Sequence, residues 1–130
     1  MGRERFAIFD VNNKEELISK SLIHFGLEHC QKSILAREAI SSTDVVSGVA
    51  LPHPLSEYYQ ETAIYVVINK KGIQWGKNKV QLVLFLFLNE DDRINYDQLF
   101  RELYYLVTSE EKLTEIYEVS SYEQYIKVLN

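Results

Sequence analysis

Apolar positions recur along this chain with two different periods, and the switches between them mark out its elements. Phe6 to Val11 is a short apolar run that predicts a strand, and Asn12-Asn13 supplies the turn or helix cap behind it. Leu17, Ile18, Leu22 and Phe25 return at helical spacing, which predicts a helix over Lys14 to Phe25 ended by Gly26. Gln31 to Ile40 reads as a second helix with Arg37 near its end, and Ser41, Ser42 and Thr43 are the polar breakers that follow. Gly48 to Leu51 reads as a strand and Leu55 to Glu61 as a loop. Thr62 to Asn69 is β-branched and aromatic, a strand closed by Lys70-Lys71-Gly72. Val80 to Leu88 predicts a strand buried on both faces, and Asn89 to Arg93 interrupts it with charge. Helical periodicity then resumes in Leu99, Leu103, Leu106 and Val107, followed by Glu110 to Tyr117 and Tyr122 to Leu129.

Helices thus bracket strands, with no two-residue hairpin signal between the principal runs, and this favours a layered α/β arrangement over a sandwich. A chain of 130 residues without internal repeat, linker or low-complexity tract fits one domain, residues 1–130. With 46% hydrophobic and 25% charged residues it has the composition of a globular protein rather than a disordered or membrane one. The run Val80 to Leu88 is too short to cross a bilayer, and the first residues lack a charged segment followed by an apolar secretion core. Both features predict a cytoplasmic location. The single cysteine, Cys30, cannot form an internal disulfide and reads as a small buried thiol at the start of a helix.

A net charge of −5 opposes nonspecific attraction to nucleic acid, and the chain contains no nucleic-acid reader. His24 and His29 lie five residues apart (29 − 24) with Cys30 adjacent, but that spacing diverges on a helix and Gly26 separates the pair, so no metal site is expected. No cofactor is expected either, because there is no G-x-x-x-x-G-K-[ST] loop and no carboxylate cluster for magnesium.

The candidate chemistry is concentrated in Arg37 to Pro54, REAISSTDVVSGVALPHP. His53 follows Val49, Ala50, Leu51 and Pro52, so a short buried run ends at a residue that cannot donate to a sheet ladder, and Pro54 stiffens the exit. Flanking prolines limit the entropy lost in presenting an imidazole to a partner. A neutral ring offers a nucleophilic lone pair near physiological pH, provided its other nitrogen is fixed. The alternative for His53 is a satisfied structural histidine.

These residues, with Arg37-Glu38, Thr43, Gly48 and Ala50 and then Trp75 ahead of the apolar run, resemble the type-2 EIIA domain of the bacterial phosphoenolpyruvate-dependent sugar phosphotransferase system, the mannitol/fructose-type family, over essentially the whole chain. The resemblance implies a mixed, largely parallel sheet flanked by helices on both faces, with the histidine near a strand end. In that family the histidine of the PH motif accepts a phosphoryl group from the carrier protein HPr, which implies the same role for His53. Arg37 stands 53 − 37 = 16 residues earlier, the separation of the family's active-site arginine, and its guanidinium would pair with phosphoryl oxygens. A surface ion pair with Glu38 or another acid is the alternative for Arg37. Thr43 and Ser47 could hydrogen-bond near the site and Gly48 could let another backbone approach closely, although turn and strand roles serve these three equally well. Trp75 is expected to pack, with partner contact as the alternative, and Tyr58 and Tyr59 could add to a docking surface. The acidic chain would suit a basic face such as HPr presents.

The sequence also departs from the transport members of the family. No histidine follows His53, and the region matching their second active-site histidine is Asn95-Tyr96-Asp97, with Tyr96 as the aligned position; an acidic position before the PH motif is Ser47. Domains that keep the PH histidine and lose the second one resemble those of larger transcriptional antiterminators or activators carrying PTS-regulation domains. The resemblance therefore implies an EIIA-like regulatory domain phosphorylated by HPr. A freestanding EIIA passing phosphate to EIIB in sugar uptake is one alternative, and a noncatalytic protein-binding module of the same fold is another.

Overall fold

A computed structural model describes residues 2–45, 48–55, 62–89 and 96–130. Four strands, β1 (Phe6–Phe9), β2 (Val49–Ala50), β3 (Ala63–Trp75) and β4 (Asn78–Phe87), form one sheet in the order β1-β3-β4-β2. β1 runs parallel to β3 and β2 parallel to β4, while β3 and β4 are antiparallel, so the sheet is mixed with two of its three pairings parallel. Among the described residues five α-helices cover it: α1 (Lys14–Phe25), α2 (Gln31–Ile40), α3 (Tyr96–Thr108), α4 (Glu110–Tyr117) and α5 (Tyr122–Leu129). The expected α/β architecture with helices on both faces is present.

Strand alternation decides which helices meet which face. Val67, Val83, Phe85 and Phe87 point to one side, where they pack with Leu17, Ile18 and Leu22 of α1 and Ile34 of α2. Ile68, Leu82 and Leu84 point to the other, against Leu113 and Ile116 of α4 and Tyr125 of α5. From Leu82 to Phe87 every β4 residue is buried, as its unbroken apolar run predicts. Local signals set the α1 boundaries. The Asn13 side chain accepts the Glu16 amide at 2.8 Å, and Gly26, at φ +73°, turns the chain out of the helix while its amide bonds back to Ile23 and Leu22.

The sequence expectation for β3 requires correction. Lys70-Lys71-Gly72 does not close the strand; β3 continues to Trp75 and returns as β4 through the two residues Gly76 and Lys77, a hairpin that the sequence reading lacks. The break in periodicity is a register shift between Ile68 and Ile73. Asn69 lies within it with no exposed surface, its Oδ1 accepting the Val11 amide at 2.8 Å and its Nδ2 donating to Val11 O at 3.1 Å. A polar residue turned inward to hold the end of β1 thus mimics a strand end in the sequence. The turn itself requires glycine. Gly76 has φ +61°, and a Cβ there would meet side-chain atoms of Asp44 and Ser42 at 2.4 Å.

Candidate functional site

The PH segment is a short strand extension held from three directions. β2 pairs with Leu82 and Val83, and the chain then leaves the ladder with three of its backbone groups partnered. The Leu51 amide donates to Thr43 O at 3.0 Å, the Leu86 amide donates to Pro52 O at 3.0 Å, and the Leu55 amide donates to Ser33 Oγ at 2.7 Å. Pro52 has no N–H to strand, so its burial leaves only a carbonyl to satisfy, and β4 does so.

His53, half-buried, sits between these anchors with Nδ1 3.0 Å from Leu51 O. A carbonyl can only accept, so this contact requires the proton on Nδ1. In the neutral ring, Nε2 then carries the lone pair. The backbone two residues upstream therefore selects the tautomer.

β2 and β4 are parallel and β3 begins opposite their ends, so the segment after Ala50, the segment after Phe87 and Thr62 share one rim of the sheet. This is the carboxyl edge at which open α/β sheets place ligands. Tyr96, the first residue of α3, belongs to the same rim: its hydroxyl donates to Asn89 O and lies 3.3 Å from Thr62 Oγ1, which in turn accepts the Asn89 amide at 3.0 Å. Asp97 is exposed, and Asn95 lies outside the described residues.

Arg37 is half-buried on α2, one turn beyond Ser33. Its Nη1 donates to Ser41 O at 2.6 Å, which holds the guanidinium at the helix C-terminus and uses one of its five N–H donors. The alternative partner Glu38 is engaged elsewhere. Its carboxylate is buried, accepts from the Thr43 hydroxyl, the Thr43 amide at 3.3 Å and Trp75 Nε1 at 3.1 Å, and has Lys14 Nζ at 3.5 Å. The sequence places Glu38 beside Arg37 but carries no sign that it centres this network.

Thr43 thus acts from below the site. Its hydroxyl is fixed by Glu38 while its carbonyl holds Leu51, the residue that orients His53. Gly48, at φ +84°, makes room for a side chain rather than chiefly for backbone: a Cβ there would meet the Tyr117 hydroxyl at 2.9 Å, with Lys79 O at 3.5 Å. Burial pushes that Tyr117 phenol up to about 12. Ser47, Tyr58 and Tyr59 lie outside the described residues. Trp75 is fully buried, in agreement with a packing role. Cys30 is buried too, and desolvation pushes its thiol up, away from the reactive thiolate. His24 packs edge-on against Phe9 and Phe25. Among the described residues no three His, Cys, Asp or Glu side chains gather as a metal site, and no helix is long and apolar enough to cross a membrane.

A single α/β domain with a PH histidine at the carboxyl rim of its sheet defines an EIIA-type architecture. Residues 5–130 match the family model for the phosphoenolpyruvate-dependent sugar phosphotransferase system, EIIA 2, and the chain belongs to that family. It is 39% identical over 70 residues to the transcriptional regulator ManR of Bacillus subtilis (strain 168), a match covering 54% of this chain and 11% of ManR. It is 27% identical over 120 residues to the probable licABCH operon regulator of the same organism, covering 88% of this chain and 19% of the relative. The chain therefore spans less than a fifth of either regulator. The fold is also that of the Escherichia coli mannitol EIIA solved in complex with phosphorylated mannitol EIIB, with a TM-score of 0.81, 17% identity and coverage of 99% and 96% of the two chains.

Proposed function

We propose that this chain is a phosphoryl-accepting regulatory domain, charged on His53 by phospho-HPr in the cytoplasm, which couples sugar availability to the activity of a larger transcription regulator. The observation that carries the reading is the contact from His53 Nδ1 to Leu51 O, which leaves Nε2 as the nucleophile. In the transfer, the donor's P–N bond breaks and its electron pair returns to the donor ring as the Nε2–P bond forms. The proton stays on Nδ1, hydrogen-bonded to Leu51 O, and that carbonyl supports the positive charge that develops on the ring. Arg37 swings from Ser41 O to the phosphoryl oxygens, a rearrangement confined to a long side chain at a helix end. The phosphoryl group adds a charge of about −1.5 to −2, enough to reorganise an interface between domains.

Relatedness to the two regulators supports the regulatory use over sugar transport, as does tyrosine rather than histidine at position 96. The second reading, relay to EIIB, draws on the fold shared with a mannitol EIIA solved with its EIIB. Incubation with phospho-HPr, followed by intact-mass measurement and phosphopeptide mapping, tests the proposal. One phosphoryl group should appear, on His53, and disappear in His53→Ala. Undiminished phosphorylation of that variant would remove His53 as acceptor, and a folded parent chain that takes no phosphate from matched HPr would favour a noncatalytic module.

A further inference from the structure

Pro54 lacks an N–H, so the Leu55 amide is the first backbone donor available to anchor the chain after His53. It is taken by Ser33 Oγ at 2.7 Å, across 22 positions of sequence, from a residue in the interior of α2 that is only 9% exposed. Leu55 itself is 53% exposed and gains little by packing, so this hydrogen bond, rather than apolar burial, ties down the chain at Leu55. Ser33 and Arg37 stand four apart on α2 and share one face of it. The face that anchors the histidine loop is therefore the face that carries the guanidinium.

We propose that Ser33 is a positioning residue for phosphoryl acceptance: through the Leu55 amide it fixes the His53 loop against α2 and so sets the imidazole within reach of Arg37. This rests on the function proposed above. The entry side of the loop is held by Thr43 O and Pro52 O, both backbone groups, whereas on the exit side, among the described residues, the bond from Leu55 runs to a side chain, Ser33. Replacing Ser33 by alanine removes the acceptor but supplies a better helix former, so the two effects on stability oppose one another. The rate has no such compensation.

The test uses the parent chain, Ser33→Ala, Ser33→Thr and each in an Arg37→Ala background, with thermal melting as a folding control. Single-turnover phosphorylation by phospho-HPr should fall about tenfold in Ser33→Ala and recover most of that loss in Ser33→Thr, which keeps the hydroxyl. In the Arg37→Ala background the same substitution should cost less than about twofold, because the two residues act as one unit. Nitrogen-15 NMR of unphosphorylated His53 should show the Nδ1–H tautomer in the parent and a mixture of tautomers in Ser33→Ala. An unchanged rate in Ser33→Ala, or losses that simply multiply with Arg37→Ala, would overturn the assignment. If the parent chain takes no phosphate, the function fails first, and the tautomer ratio alone then decides whether Ser33 orders His53: unchanged between parent and Ser33→Ala, it rejects the role.

Discussion

The two sides of the site rim are built differently. On the α2 side, His53 lies in a loop fastened by hydrogen bonds from Leu51, Leu86 and Leu55, beneath which Ile34 and the α1 residues Leu17, Ile18 and Leu22 have no exposed surface. On the α3 side, Tyr96 opens a helix of which no residue is buried, and Phe100, Tyr104 and Tyr105 are exposed. A cavity of about 400 Å³ lies between this helix, Ile64, Val66 and Leu84 of the sheet, and Tyr125 and Leu129 of α5. The His53 side is thus pre-organised for the acceptor role proposed above, while the part of the rim around Tyr96 is lightly seated. Accepting phosphate needs the first property only. Passing it onward through a paired group would need both.

The largest effect expected from a single change, short of removing His53, is at Arg37. Arg37→Ala should remove one charged contact to the transferring group, costing about 2 to 4 kcal/mol in the transition state, roughly 30- to 1,000-fold in single-turnover rate, with the fold retained. Arg37→Lys should recover only part, since an ammonium lacks the planar fork. A rate equal to the parent's would take Arg37 out of the mechanism and leave the α2 side with structure but no chemistry.

A matched pair of truncations tests the difference in seating directly. Ile34→Ala opens a cavity in a closed core and should cost about 3 kcal/mol in urea denaturation, whereas Leu103→Ala, on the half-buried face of α3, should cost about 1 kcal/mol. Equal losses would mean that α3 is as firmly packed as α2.

The smallest effects belong to Tyr96. Tyr96→Phe removes the hydroxyl bond to Asn89 O but leaves every anchor of the His53 loop, so phosphorylation by phospho-HPr should change by less than about twofold. Parent phosphoprotein should transfer slowly to a cognate EIIB, and Tyr96→His should transfer faster. Rapid transfer by the parent would instead favour the sugar-uptake reading.

Much of this architecture was legible in the sequence because its signals are local. Asn13 and Gly26 bracket α1 within the helix they cap, and the apolar run of β4 announces a strand covered on both sides. The β3–β4 hairpin escaped because its cause is not local: Asn69 turns inward to meet Val11, 58 positions away, so Lys70-Lys71-Gly72 looks like a terminus. The site divides in the same way. His53 stands out through its flanking prolines, and the carbonyl that orients it is only two residues upstream. Ser33 and Glu38 act on partners 22 and 37 positions away, and a serine or glutamate within a helix carries no periodic signature of such a bond.

The central claim is that Leu51 O holds the proton on Nδ1 so that Nε2 of His53 receives the phosphoryl group. Nitrogen-15 and phosphorus-31 NMR on the chain labelled in its histidines and charged by phospho-HPr reads this atom by atom. The account predicts phosphorus coupled to Nε2 of His53, with Nδ1 still protonated. Coupling to Nδ1, or phosphate on another residue, would contradict it.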